Sequence, residues 1–417
     1  MWDLESEEED GIVKRSRSFA YLLTIATFSL ISSTLLPAQG YKILHSFGGP
    51  GDGADSSGGI VMDGSGNLYG TTAAGGVANS GLCGTHGCGI VYKLSPNQNG
   101  TWTESILHSF DGYDGSGGCG LAPVLDAQGN LYSCATYVLG GGGTIYKLTP
   151  QANGQWTFSL LFELQDGPDG SDPAGVTLYR GNLYATSAFG GGGGNGGGVA
   201  FELSQTAPGQ WSETTLYGFN GYYGSLPNGL TFDAIGNAYG TTFQDGQYGD
   251  GNVFRLTPGH PSNGQWSETI LYAFQGSDGA GPSSTVVFDR AGNLYSTTAA
   301  GGPGGAGVVF ELSPNPDGNW TEQILYAFSD YATPYAGVTF DFQGNLYGAA
   351  EGNGYGYIYK LTPSSNGQWT FTNLHQFDGQ DGAFPFANVI LDSSGNVYGT
   401  TELGGTYNKG VVFEITP

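Results

Sequence analysis

One phrase, Gly-Asn-Leu-Tyr, returns seven times along the chain with small changes. Its tyrosine falls at Tyr69, Tyr132, Tyr184, Tyr239, Tyr295, Tyr347 and Tyr398, giving spacings of 63, 52, 55, 56, 52 and 51 residues. A period of this size means one supersecondary unit that buries its faces only by stacking on copies of itself. The 417 residues therefore read as one array rather than as several independent domains.

Each period holds four short apolar segments, strands a to d. Strand a ends in an aspartate (Asp63, Asp126, Asp233, Asp289, Asp341, Asp392), replaced by Tyr179 in the third repeat. The Asp-x-x-Gly-Asn that follows offers a side chain to cap a turn and a glycine for positive φ. Strand b is the Leu-Tyr-Gly-Thr-Thr segment, and strand c reads like Ile90 to Leu94. Strand d begins at Trp102, Trp156, Trp211, Trp266, Trp320 or Trp369 and in most repeats ends at a Phe. A Pro strand-stop and an Asn-Gly turn signal separate c from d, as in Pro363 to Trp369. The unit is a four-stranded antiparallel meander, with no amphipathic helix in it.

Seven such sheets bury both faces when set radially, as propeller blades. The sequence opens its repeats with a d-type strand, Tyr41 to Phe47, and ends on a c-type strand, Gly410 to Ile415. The last repeat thus has a, b and c, and the first strand supplies its d. The expected fold is an all-β, closed seven-bladed β-propeller spanning residues 39–417. An open β-repeat array is the alternative, but it would need polar capping repeats, and none is visible.

Ahead of the array, Lys14, Arg15 and Arg17 precede an uncharged, mostly apolar run from Phe19 to Leu36, with a cleavage site after Ala38. Residues 1–38 read as a signal peptide, with an uncleaved anchor as the competing reading. The expected location is outside the cytoplasm, secreted or periplasmic. Four cysteines suit an oxidising compartment. Cys83 and Cys88 bracket a short loop, and Cys119 and Cys134 flank one hairpin, so two local disulfides are expected. Zinc held by Cys83, Cys88 and His86 is the weaker alternative, lacking a fourth ligand. A formal net charge of −25, with basic residues scattered singly after residue 40, excludes a phosphate-binding face and with it nucleic acid. No membrane insertion is expected beyond the N-terminal segment, and a monomer is expected.

The phrases Gly-Asn-Leu-Tyr-Gly-Thr-Thr, Val-Tyr-Lys-Leu-(Ser/Thr)-Pro and Trp-x-x-x-x-Leu-x-x-Phe-x-Gly-x-Asp-Gly resemble the GloVer (Gloeo-Verruco) tandem repeat family of exported bacterial proteins, over about residues 41 to 417. That resemblance implies no biochemical activity. Family members often carry a C-terminal sorting or anchoring segment. None follows the last repeat here, so anchoring of that kind is not expected. The blades are also loosely similar to NHL and gluconolactonase-like propellers, a likeness of architecture that implies no reaction.

In a propeller the d-to-a and b-to-c loops share one face. The d-to-a loops carry Asp52, Asp114, Asp169, Asp278 and Asp381. They read either as turn caps or as a ring of hard-cation ligands for Ca²⁺. Tyr222, Tyr223, Tyr331, Tyr335, Phe384 and Tyr248 lie on or near the same face. They read either as loop padding or as stacking platforms for sugars. No nucleophile elbow, metalloprotease helix or phosphate loop is present, and no catalytic residue is assigned. The reading is an exported, non-enzymatic binding propeller for a glycan or protein. An extracellular hydrolase or lyase acting on polysaccharide and a structural cell-envelope module are the alternatives.

Overall fold

Alternating apolar residues and Gly-rich turns produce seven antiparallel sheets in a ring, a seven-bladed β-propeller. The structure is a computed structural model that describes residues 40–77, 82–137, 141–191, 196–222, 224–259, 266–329, 331–352 and 354–416. The segment read as a signal peptide lies outside them. Blade 1 runs a to d through Val61–Met62, Leu68–Thr71, Ile90–Pro96 and Trp102–Ser109. Blade 7 runs through Ile390–Leu391, Val397–Thr401 and Val411–Thr416. Its fourth strand is Gly40–Ser46, paired antiparallel with Tyr41 opposite Ile415 and Ser46 opposite Val411. The ring closes as the strand order of the sequence requires.

Innermost strand a is the least regular. In blades 2, 4 and 5 it splits into two short pieces, such as Ser225–Pro227 and Thr231–Phe232, both paired to the same strand b. The break follows from a residue at positive φ, often followed by Pro, which cannot donate to the ladder.

The signature phrase is a hydrogen-bonded corner. Asp341 Oδ1 accepts from the N–H groups of Gln343 (2.9 Å) and Asn345 (2.9 Å), and Oδ2 accepts from Asn345 Nδ2 (2.6 Å) and Tyr347 OH (3.2 Å). The same set recurs at Asp63, Asp126, Asp289 and Asp392. Where Tyr179 replaces the aspartate, Asn182 and Tyr184 turn instead to Glu202 Oε1.

Packing is between blades. Each of seven buried apolar clusters joins one blade to the next. The phenylalanine after strand d meets a ring on strand c of the following blade: Phe47 with Tyr92 (5.0 Å), Phe274 with Phe310 (5.1 Å), Phe377 with Phe413 (5.4 Å). The first Thr of three of the Thr pairs also bridges blades. Thr241 Oγ1 donates to Ser284 O (2.8 Å), Thr297 to Ala336 O (2.8 Å), and Thr400 to Gly58 O (2.9 Å) across the closure. Strand propensity alone does not account for these threonines; they stitch strand b to the neighbouring inner strand.

Candidate functional site

The repeated d-to-a aspartates are each held within their own blade. Asp52, Asp114 and Asp381 receive His45, His108 and His375 at Nε2–Oδ2 distances of 3.1, 2.7 and 2.8 Å. Asp278 accepts from Tyr272 OH (2.6 Å), and Asp169 from Gln165 N (3.0 Å). These partners come from outer strand d or the loop just after it. Burial opposes ionisation of Asp114, but the bonds from His108 and the Asp111 N–H hold its carboxyl below the usual value. Among the described residues the five do not gather into one cation group. Among the described residues, the single cluster of three metal-competent side chains is His45, Asp52 and Glu104.

The same histidine positions continue across the seams. His108 stacks on Phe158 of the next blade (4.0 Å between ring centroids), and His375 stacks on Tyr41 (3.8 Å). Tyr326 stacks on Phe371 (4.5 Å), and Tyr217 OH donates to Glu268 (2.8 Å). These residues form a packing girdle on the outer rim.

Of the aromatic residues, Tyr222 and Tyr331 are 75% and 86% exposed, and Tyr248 is also exposed. Tyr223 lies outside the described residues. Tyr335 lines the channel mouth, edge-on to Phe386 at 5.6 Å, and Phe384 stacks on Phe386 at 6.1 Å. The structure thus brings Tyr335 and Phe384 together around Phe386.

The mouth is a basin of about 660 Å³ lined by Ser57, Thr136, Asp172, Asn228, Ser283, Tyr335, Glu351 and Phe386, among others. Its wall begins where strand a enters at positive φ, at Asp55 (60°), Asp172 (58°), Leu226 (55°) and Phe384 (59°). Four non-glycine residues in this conformation at one repeat position mark a strained collar. The end of strand b braces it: Ala73 N donates to Asp55 O (3.0 Å), Glu351 N to Thr333 O (2.9 Å) and Glu402 N to Phe384 O (3.1 Å).

The basin has a floor. Leu121 lies against Gly175 and Gly229, where even a Cβ would meet its side chain. Asn388 Oδ1 accepts from Gly337 N (2.6 Å) and from Ser284 Oγ (3.2 Å). Both residues border the mouth and also a second cavity of about 400 Å³ beyond it.

Electrostatically the mouth is acidic. Burial raises the Asp172 carboxyl above its ordinary value. Burial, with the charges of Asp55 and Glu351, does the same to Glu402. Lys409 Nζ stands 3.6 Å from Asp55. Sequence reading missed Asp172, Asn228, Ser283, Glu351 and Phe386. The signal was a column: two residues after the positive-φ corner the repeats carry Ser57, Ala174, Asn228, Ser283, Tyr335 and Phe386, different in nearly every blade.

The cysteines pair as Cys83–Cys88 and Cys119–Cys134, with Cα separations of 5.3 and 5.5 Å. Cys83 and Cys88 are therefore not free to hold zinc with His86. No described helix is long and apolar enough to cross a membrane.

Solved structures similar in fold include a luciferin-regenerating enzyme, 14% identical over 72% of this chain and 91% of that one, with a TM-score of 0.41. Another is the PQQ-bound aldose sugar dehydrogenase of Streptomyces coelicolor, 12% identical over 90% and 98%, with a TM-score of 0.45. No curated protein matches the chain. The Gloeobacter/Verrucomicrobia repeat matches residues 83–287 and 288–417, so the chain belongs to the Gloeobacter/Verrucomicrobia repeat family.

Proposed function

We propose that this propeller is an exported binding module that holds a glycan in the basin of its d-to-a face. The observation carrying the reading is the composition of that basin. Tyr335 and Phe386 offer ring faces and edges, while Asp172, Glu351, Asn228 and Ser283 offer acceptors and donors around one closed-ended cavity. Apolar rings beside a few polar groups suit sugar rings and their hydroxyls. Polar residues differing from blade to blade make the site asymmetric, as recognition of one ligand needs. The two disulfides support a place in an oxidising compartment.

Glycan-array binding followed by calorimetry on the best ligand tests the reading. Tyr335→Ala and Asp172→Asn should each weaken binding by about tenfold or more, since each removes about 1.4 kcal/mol or more of contact. Tyr222→Ala, outside the basin lining, should leave it unchanged. Equal affinity in all three variants would place the ligand elsewhere. Asp172 also supports a second reading, since a carboxyl held above its ordinary value is the property of a general acid. Release of reducing sugar that Asp172→Asn abolishes would replace the binding reading with a hydrolytic one.

A further inference from the structure

We propose that His45, Asp52 and Glu104 form a divalent-cation site of the zinc class, which staples blade 7 to blade 1 at the closure of the ring. One ligand atom from each lies within 4.8 Å of the other two. His45 Nε2 is 3.1 Å from Asp52 Oδ2 and 3.7 Å from Glu104 Oε1. Ligands bound at about 2.0–2.2 Å to a tetrahedral centre stand roughly 3.3–3.6 Å apart, so little movement is needed to seat an ion.

Two further observations point to a ligand. Glu104 Oε1 is sealed from solvent and accepts no hydrogen bond, a state shared by Oε1 of Glu268 and Glu322, but only Glu104 has an imidazole nitrogen and a second carboxylate within reach. An acceptor in that state is costly unless a cation or a proton donor meets it. Asp52 is already aimed, its Oδ2 accepting from Gly48 N (3.2 Å) and its Oδ1 from Gly53 N (2.6 Å). Outer contacts of this kind orient metal-binding carboxylates.

The other seams serve as internal controls. His108 and His375 keep the same aspartate partner, but the next blade offers them the rings of Phe158 and Tyr41. Among the described residues, only at the closure does a histidine of this position face a carboxylate; where Glu268 fills the place of Glu104, its partner from the preceding blade is the Tyr217 hydroxyl. The repeat supplies the two carboxylate positions, and at the closure they meet an imidazole. The side chains of His45, Asp52 and Glu104 are 21%, 10% and 18% exposed, which leaves an entry path and room for water as a fourth ligand. One imidazole nitrogen with two carboxylates suits Zn²⁺ and its first-row neighbours, whereas Ca²⁺ takes six to eight oxygens. A bound ion would join the closing strand, the loop after it and strand d of blade 1.

The test uses the full chain, stripped with EDTA and dialysed. Zn²⁺ is titrated by calorimetry while thermal unfolding is followed, and Co²⁺ is added separately to read its visible absorption. One Zn²⁺ per chain should bind, raise the melting temperature, and give a Co²⁺ spectrum of low coordination number. Glu104→Gln should weaken uptake by about tenfold or more. His45→Asn, the second variant, should do the same, and His108→Phe should not. Absence of stoichiometric Zn²⁺ uptake, or equal uptake by Glu104→Gln and His45→Asn, would overturn the proposal. So would binding of Ca²⁺ in place of Zn²⁺.

Discussion

Phe47→Ala strikes the closure at its most buried point. Phe47 is fully buried, 5.0 Å from the Tyr92 ring and 4.8 Å from His45, in the cluster that joins blade 7 to blade 1. Burying roughly 170 Å² of ring at about 25 cal/mol per Å² contributes about 4 kcal/mol. Measured costs of truncating a buried Phe, about 3–5 kcal/mol, agree. At about 2.1 cal/mol/K per residue, a cooperative unit of this size has an unfolding entropy near 0.8 kcal/mol/K, so the melting temperature should fall by about 5 °C. Phe328→Ala is the matched control, since Phe328 is equally buried against Tyr359 (5.3 Å) at an interior seam. Calorimetry should show similar losses for both. Hydrogen exchange should separate them: Phe47→Ala loosens Gly40–Ser46 and so unprotects the amides of Val411–Thr416, while Phe328→Ala leaves those amides slow. Unchanged protection of Val411–Thr416, or a melting shift below about 1 °C, would refute closure by this strand.

Three further outcomes are expected. Burial raises Glu268 and Glu322 to about 7, aided at Glu322 by the charge of Asp278 and opposed at Glu268 by Tyr217. The stability these groups contribute is fully present below their ordinary value of 4.5 and is lost as pH rises through about 7. Burial opposes ionisation of Asp63, Asp126, Asp233 and Asp341, but hydrogen bonds led by the following asparagine hold them low, so their contribution is lost in stronger acid. Thermal melts should therefore peak at mildly acidic pH, and melts that rise from pH 5 to pH 8 would contradict this. Asp341→Ala strips acceptors from two N–H groups, an amide and a phenol, and should cost about 2–3 kcal/mol in denaturant titration. Reducing Cys119–Cys134, whose sequence separation is 15, should cost about 3 kcal/mol, read as a melting shift that Cys119→Ser reproduces.

Much of the fold was legible because its rules are local. Asp-x-x-Gly-Asn-Leu-Tyr specifies its own corner from side chains within six residues of one another. The site was legible only in part. Tyr335 and Phe384 were visible as loop aromatics, but Phe386 between them was not. The metal reading singled out Asp52, yet nothing near it in sequence named Glu104, which is 52 residues away. Asp172 and Glu351 looked like ordinary loop acids, because a repeat's Asp-Gly rhythm masks the acids that line the basin.

The sequence by itself determined the number of blades, the order of strands and the closure by Tyr41 to Phe47. Each depends on period-two patterning and turn chemistry within one repeat. Only the tertiary structure decided which residues meet at the centre and at the seams. Asp172, Asn228, Glu351 and Asn388 come from blades 3, 4, 6 and 7, and they converge because radial packing brings every inner strand to one axis. His45 meets Glu104 for the same reason: the ring's last seam sets the first strand against strand d of blade 1. Such meetings are set by the angle between sheets, which no single repeat encodes.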